Sequence, residues 1–213
     1  MLIHTLKKGL EQAALDLSRH RIDLLCKLLP ALIQTRSVNL KKLACALPGL
    51  ALIESHYRRL QRFFNSGLSP CVFTQLILNK LVVTGQAVTL VLDRTHWELG
   101  ATHLNLLCLG LLYQGVSIPL ISQSLQRAGN SHTRDQKRMM RQAFTYSKGC
   151  TGCLLADRKF IGKEWMRFLL KQKRWTFVIR IRCNSWVRLD DEQLQYLASM
   201  TRYWKRDTTR IFF

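Results

Sequence analysis

The sequence predicts an α+β protein in two parts, a helical N-terminal domain over residues 1–80 and an α/β core over residues 86–213. Three observations predict it. Apolar residues recur at helical spacing up to about residue 80, then give way from Gln86 to short β-rich runs. The core elements alternate as β-β-β-α-β-α-β, the pattern of a sheet with crossover helices. Charge divides the chain at nearly the same places.

In the first part, Glu11 to Leu29 places Leu15, Ile22, Leu25 and Leu29 on one helical face, with Arg19, Arg21 and Lys27 between them. Pro30 is expected to end that helix, because proline lacks the N–H an interior helical position needs. Asn39 is a candidate cap for a second, short helix running to Leu47. Pro48-Gly49 breaks the chain before a third helix from Ile53 to Phe64. Its spacing assigns Tyr57, Leu60 and Phe64 to one face and Arg58, Arg59 and Arg62 to another. Two short helices around a turn, the second basic, suit a helix-turn-helix that grips DNA phosphates; an ordinary three-helix bundle with a wet basic face has the same pattern. Asn65 to Pro70 reads as a linker and Cys71 to Leu81 as a connecting helix.

In the second part, Ala87 to Asp93 is a β-rich run ending in a carboxylate. Leu104–Tyr113 and Val116–Ser122 flank Gln114-Gly115, a hairpin turn. Ser131 to Lys148 is a basic helix, and Cys153 to Asp157 a short strand that again ends in a carboxylate. Ile161 to Lys173 is a helix with Trp165, Phe168 and Leu169 inward and Lys163, Arg167 and Lys171 outward. Thr176 to Arg182 is a fifth strand.

The charge narrows the partners. Thirty-three Lys and Arg against 13 Asp and Glu give +20 on 213 residues, a surface that attracts polyanions, of which nucleic acids are the commonest. Residues 81–125 carry only Asp93, Arg94 and Glu98, whereas residues 127–182 carry fifteen basic groups and three acidic ones. With 47% hydrophobic residues the chain is not a disordered polycation. Its longest apolar stretch, His103 to Ile121, is interrupted by polar residues and Pro119 and falls short of the ~18 residues of a membrane span. No secretory signal opens the sequence, and seven scattered cysteines fit a reducing cytoplasm rather than a disulfide framework.

Asp93 and Asp157 give this frame its chemistry. Three antiparallel strands followed by α-β-α-β match the ribonuclease-H-like plan, in which the first and fourth strands are neighbours. Two carboxylates at those strand ends call for a divalent cation, and hard Mg²⁺ takes carboxylate oxygens. Two such ions about 3.5–4 Å apart suit phosphoryl transfer. The competing reading of Asp157 is a cap for the helix that follows it.

The words around the two acids, Leu92-Asp93-Arg94-Thr95-His96-Trp97-Glu98-Leu99-Gly100 and Ala156-Asp157-Arg158-Lys159-Phe160-Ile161-Gly162-Lys163-Glu164-Trp165, resemble the first and second acidic motifs of bacterial insertion-sequence DDE transposases. The group concerned has a third motif of the form Tyr-x2-Arg-x3-Glu-x6-Lys. The segment Ser55 to Phe64 is similar to that family's N-terminal DNA-binding region. The resemblance implies a ribonuclease-H-like core, with Asp93 and Asp157 as catalytic metal ligands for Mg²⁺ or Mn²⁺ in a two-metal site. It implies DNA contacts from Arg94 and Arg158, close helix approach at Gly162, and Trp165 as the anchor of its helix. The implied activity is cleavage and joining of double-stranded transposon ends in the bacterial cytoplasm, at the nucleoid. A second transposase chain, its own copy or an intact relative, is the implied protein partner, and no membrane is involved.

The third acid is missing from the pattern. Only 56 residues follow Asp157, Tyr203-x2-Arg206 is followed by Arg210 where Glu belongs, and Asp190, Asp191, Glu192 and Asp207 fit no version of the motif. The expectation is an N-terminal portion of a transposase, catalytically poor, with an incomplete core. Two alternatives stay open: a DNA-binding protein that interferes with an intact transposase, and a metal-dependent nuclease of the same fold. Lys137, Arg138 and Arg141 form a solvated basic helical turn and a DNA track if the core binds a duplex. Cys150-Thr-Gly-Cys153 has the spacing of half a zinc site, but no second Cys pair follows. His96 stands three residues from Asp93, within reach of a metal or phosphate, or is simply a strand histidine.

Overall fold

The computed structural model describes residues 2–13, 17–67, 71–82, 85–99, 101–125, 131–147, 149–188 and 194–202. Leu15, residues 68–70 of the expected linker, Gly100, Lys148, Tyr203, Arg206, Arg210 and the tail acids Asp190, Asp191, Glu192 and Asp207 lie outside them. The chain divides into two compact units, Met1–Val83 and Thr84–Phe213.

The first unit holds α1 (Leu2–Ala13), α2 (Arg19–Thr35), α3 (Leu40–Ala46), α4 (Ile53–Asn65) and α5 (Cys71–Leu81). The single helix expected from Glu11 to Leu29 is two, since α1 ends at Ala13 and α2 begins at Arg19. Pro30 does not end α2, which continues to Thr35. Pro30 forfeits one donor near the middle of the helix, while Leu25, Cys26, Leu28 and Ala31 around it are buried in the core. Each large apolar side chain buried there contributes roughly 1.5–3 kcal/mol, enough together to offset the ~3 kcal/mol of an interior proline. The Asn39 side chain caps α3, accepting from the backbone N–H groups of Lys41 and Lys42 at 3.0 and 3.3 Å. The buried stripe of α4 is His56, Leu60 and Phe63, and Phe64 is 48% exposed. Of the face expected from Tyr57, Leu60 and Phe64, the first two pack on the core and Phe64 does not; His56 joins them, its Nδ1 3.2 Å from the Ala44 carbonyl of α3.

The second unit holds β1 (Val88–Leu99), β2 (Thr102–Tyr113), β3 (Val116–Ser124), α6 (Thr133–Tyr146), β4 (Gly152–Ala156), α7 (Lys163–Leu170), β5 (Trp175–Ile179), β6 (Trp186–Arg188), β7 (Leu194–Tyr196) and α8 (Leu197–Thr201). The first five strands named form one mixed sheet in the order β3-β2-β1-β4-β5, and β6 pairs with β7. β1 is antiparallel to β2 and β2 to β3, while β1, β4 and β5 run parallel. Gln114 and Gly115 both take positive φ, 49° and 80°, as a two-residue hairpin turn requires. The architecture is a mixed α+β fold.

Strand alternation gives the sheet two unlike faces. Leu90, Leu92, Leu109, Leu111 and Leu154 share one face and are buried. α6 and α7 lie on that side: Phe144 of α6 packs against Trp175 of β5 at 5.3 Å and against Phe168 of α7 at 6.4 Å. Trp165 of α7 is fully buried and stacks on Phe168 of the same helix. The other face carries Val91, Leu155 and Val178, and Val178 is 62% exposed.

Candidate functional site

Asp93 is not at the end of its strand. β1 runs on to Leu99 because β2 keeps pairing with it, and Asp93 lies opposite Cys108 in that ladder. What ends beside Asp93 is the parallel ladder to β4, whose last pair is Leu92 with Ala156. Asp93 and Asp157 are thus the next residues on two neighbouring parallel strands, which run about 4.8 Å apart. Alternation puts both on the face of Val91 and Leu155, and both line one open cleft of 720 Å³ with Val178, Ile179 and Arg180. Asp93 is exposed, and its Oδ1 accepts from the Arg94 backbone N–H at 2.7 Å. The Asp157 carboxylate has no protein partner among the described residues. Asp157 does not cap the following helix: α7 starts at Lys163 with Gly162 before it, two residues later than expected. Gly162 is not a point of close approach either, because an added Cβ would meet nothing within 4 Å.

The basic residues fall into separate groups. Arg94 has the opposite parity to Asp93 and lies on the other face of the sheet, so only its backbone serves the cleft. Arg158 is exposed in the turn after Asp157. Lys137 reaches Glu164 of α7 at 3.3 Å, Arg141 lies over the Phe168 ring at 5.5 Å, and Arg138 sits 3.8 Å from Asp135. These three belong to the helical layer, where Lys137 and Arg141 tie α6 to α7 and Arg138 pairs within α6. Nothing in the local sequence singles out Arg180; the β5 register sets it one residue past the Ala156–Ile179 pair, beside Asp157.

In the helical unit Arg59 and Arg62 converge with His20 and Arg21 of α2 around a second cleft of 430 Å³. Arg21 is fixed there by α4's C-terminus, its guanidinium donating to the carbonyls of Ser66 and Gly67 at 3.2 and 2.7 Å and to the Ser66 hydroxyl. Arg58 is outside this cleft and pairs with Glu54 at 3.5 Å on the exposed side of α4. His20 and Arg21 are legible as basic residues of a helix, but their meeting with α4 is a tertiary fact.

No protein-family model and no curated protein matches the chain. A solved structure does. It is a chain in the cryo-electron-microscopy structure of the simian T-cell lymphotropic virus intasome in complex with PP2A regulatory subunit B56 gamma, with 12% identity and a TM-score of 0.36. The match covers 65% of this chain and 46% of that one, so this chain spans under half the length of that protein. No helix among the described residues is long and apolar enough to cross a membrane.

The donor set of the carboxylate cleft suits a hard divalent cation. Two acids offer oxygen donors, one carboxylate is only singly engaged and the other not at all, and the cleft is open to water. The flanking cation, Arg180, stands on the far side of Asp157 from Asp93, where it can meet an anion without separating the two acids.

Proposed function

We propose that the chain is part of a DNA transposase of the insertion-sequence kind, with a ribonuclease-H-like core that binds Mg²⁺ or Mn²⁺ through Asp93 and Asp157 and acts on double-stranded DNA. The observation that carries the reading is the register of β1 on β4, which brings the two motif aspartates together on one face of a sheet ordered β3-β2-β1-β4-β5. A bound divalent ion would supply a Lewis acid and a nucleophilic water for phosphodiester cleavage. The chain's own residues do the rest. Asp93 and Asp157 would hold the cation, and the Arg94 N–H fixes one Asp93 oxygen. Arg180 at the cleft faces the phosphates, with Arg158 exposed in the turn beside Asp157, and the His20, Arg21, Arg59 and Arg62 cleft grips the DNA backbone independently. Among the described residues no third carboxylate lines the carboxylate cleft. Two acids alone hold metal loosely, so the chain by itself cleaves slowly.

Supercoiled plasmid incubated with Mg²⁺ or Mn²⁺ tests this. Slow nicking that disappears in both Asp93→Ala and Asp157→Ala, with DNA binding retained, is the expected result. The basic cleft of the helical unit favours a second reading, a DNA-binding protein without catalysis. Binding with no metal-dependent nicking above the level of the Asp93→Ala and Asp157→Ala variants selects that reading and overturns the first.

A further inference from the structure

We propose a second metal site, for a transition ion of the Zn²⁺ type, made by His96, Glu98 and His103 on the β1–β2 hairpin. It does not depend on the function proposed above. Positions 96 and 98 are two apart on β1 and share a face, and the antiparallel register sets His103 of β2 directly opposite Glu98. The result is three ligand-type side chains in one patch, with ligand atoms all within 4.8 Å of one another. His96 Nε2 lies 3.7 Å and His103 Nδ1 3.6 Å from the same Glu98 oxygen, and the two rings stack at 5.6 Å with 16° between planes.

Those distances are too long for hydrogen bonds, which close to about 2.9 Å. They lie near the ligand–ligand edge of a tetrahedral zinc centre, about 3.3 Å when each donor sits about 2.0–2.1 Å from the metal. All three side chains are more than half exposed, so small rotations can close the remaining gap. The set of two imidazoles and one carboxylate, with a fourth position left to water, is a common zinc donor set. Imidazole nitrogen favours Zn²⁺, Co²⁺, Ni²⁺ or Cu²⁺ over Mg²⁺. Electrostatics also permit it. The local charge is close to balanced: of the charged residues in 81–125, Asp93 is on the other face, whereas Glu98 is a ligand and Arg94 shares the face of His96. Strand parity puts this patch on the opposite sheet face from Asp93, which makes it a separate site rather than an extension of the carboxylate cleft. Because its ligands come from two strands, a bound ion cross-links β1 to β2 beyond the point where β4 supports β1.

The test uses the untagged full chain, reduced, titrated with Co²⁺ and then with Zn²⁺ against a chromophoric chelator. One equivalent is expected, with the visible absorption of four-coordinate Co²⁺ displaced by Zn²⁺ and not by excess Mg²⁺. His96→Ala, Glu98→Gln and His103→Ala should each weaken binding about tenfold or more, while Asp93→Ala/Asp157→Ala leaves it unchanged. In the native sequence Zn²⁺ should also slow amide exchange at the distal half of β1 and the start of β2. Binding that survives His96→Ala/His103→Ala, for instance at the cysteines, overturns the site, as does the absence of any one-equivalent binding. Loss of binding in the Asp93/Asp157 double variant would instead place the ion in the other cleft and equally overturn it.

Discussion

Single residues of this chain are decided by which face of an element they occupy. Asp93 and Arg94 are neighbours in sequence and opposites in space, one on the open face with its carboxylate free to take a cation, the other sharing the face of Leu92. Gly162 shows the same rule in reverse. Its φ of 175° is ordinary extended backbone and its surroundings are open, so Gly162→Ala should cost no more than the ~1 kcal/mol by which an N-cap prefers glycine to alanine, read in a urea titration. A loss of 2 kcal/mol or more, at roughly the cost of a core clash, would mean that the helix start is more crowded than this. Gln114 is the contrasting case. At φ 49° it sits in the left-handed region ahead of Gly115, where Asn is the better residue, and Gln114→Asn should raise the unfolding free energy by about 0.5 kcal/mol.

Elements show what the sequence could and could not reveal. The strands and crossover helices of the second unit are legible because their apolar runs are short and bounded by turn residues; the hairpin at Gln114-Gly115 is where the spacing puts it. The length of β1 is not legible, since Thr95 to Leu99 mixes polar residues with Trp97 and Leu99 in a short run without a turn signal of its own, and it pairs along its length with β2. Pro30 misleads for a related reason: local propensity ends a helix there, and core burial on both sides carries it through. The two aspartates were readable as chemistry, whereas Arg180, His20 and Arg21 join their clefts only through register and packing. One contact between elements makes a pH prediction. Lys7 of α1 and Asp23 of α2 pair at 2.8 Å, which raises the Lys7 pKa and lowers that of Asp23, chiefly through their mutual hydrogen bond. Asp23's contribution is therefore present above the unfolded carboxylate value near ~3.9 and is lost as pH falls through its depressed folded value. Lys7's contribution is present below about 10.4 and is lost as pH rises through its raised one. Both side chains are solvent-exposed, so the effect is small and salt-sensitive. Asp23→Asn should flatten the acid limb of the thermal-stability curve below about pH 4 and leave the neutral region nearly unchanged; an unaltered acid limb would show that the pair does not form in solution.

At the scale of the whole molecule, charge is shared between the two units rather than concentrated in one. Residues 1–80 carry twelve basic and four acidic groups, and the excess of fifteen over three in residues 127–182 lies in the second unit. Binding to duplex DNA should then be dominated by counterion release, with log affinity falling by about 0.9 per phosphate contact for each unit of log salt. The Arg59→Ala/Arg62→Ala variant removes two cations that share one cleft, and should lower that slope by about two. The slope should not fall to zero, because Arg158, Arg180 and the other cations of the second unit remain. Arg58→Ala, which removes a cation already paired with Glu54 outside the cleft, should change the slope less than either Arg59→Ala or Arg62→Ala. Fluorescence anisotropy of a labelled duplex over a salt series measures all of these. An equal loss from all three arginines would mean that the exposed face of α4, rather than the cleft between α2 and α4, meets the DNA. A slope insensitive to every one of them would remove the helical unit from the interface.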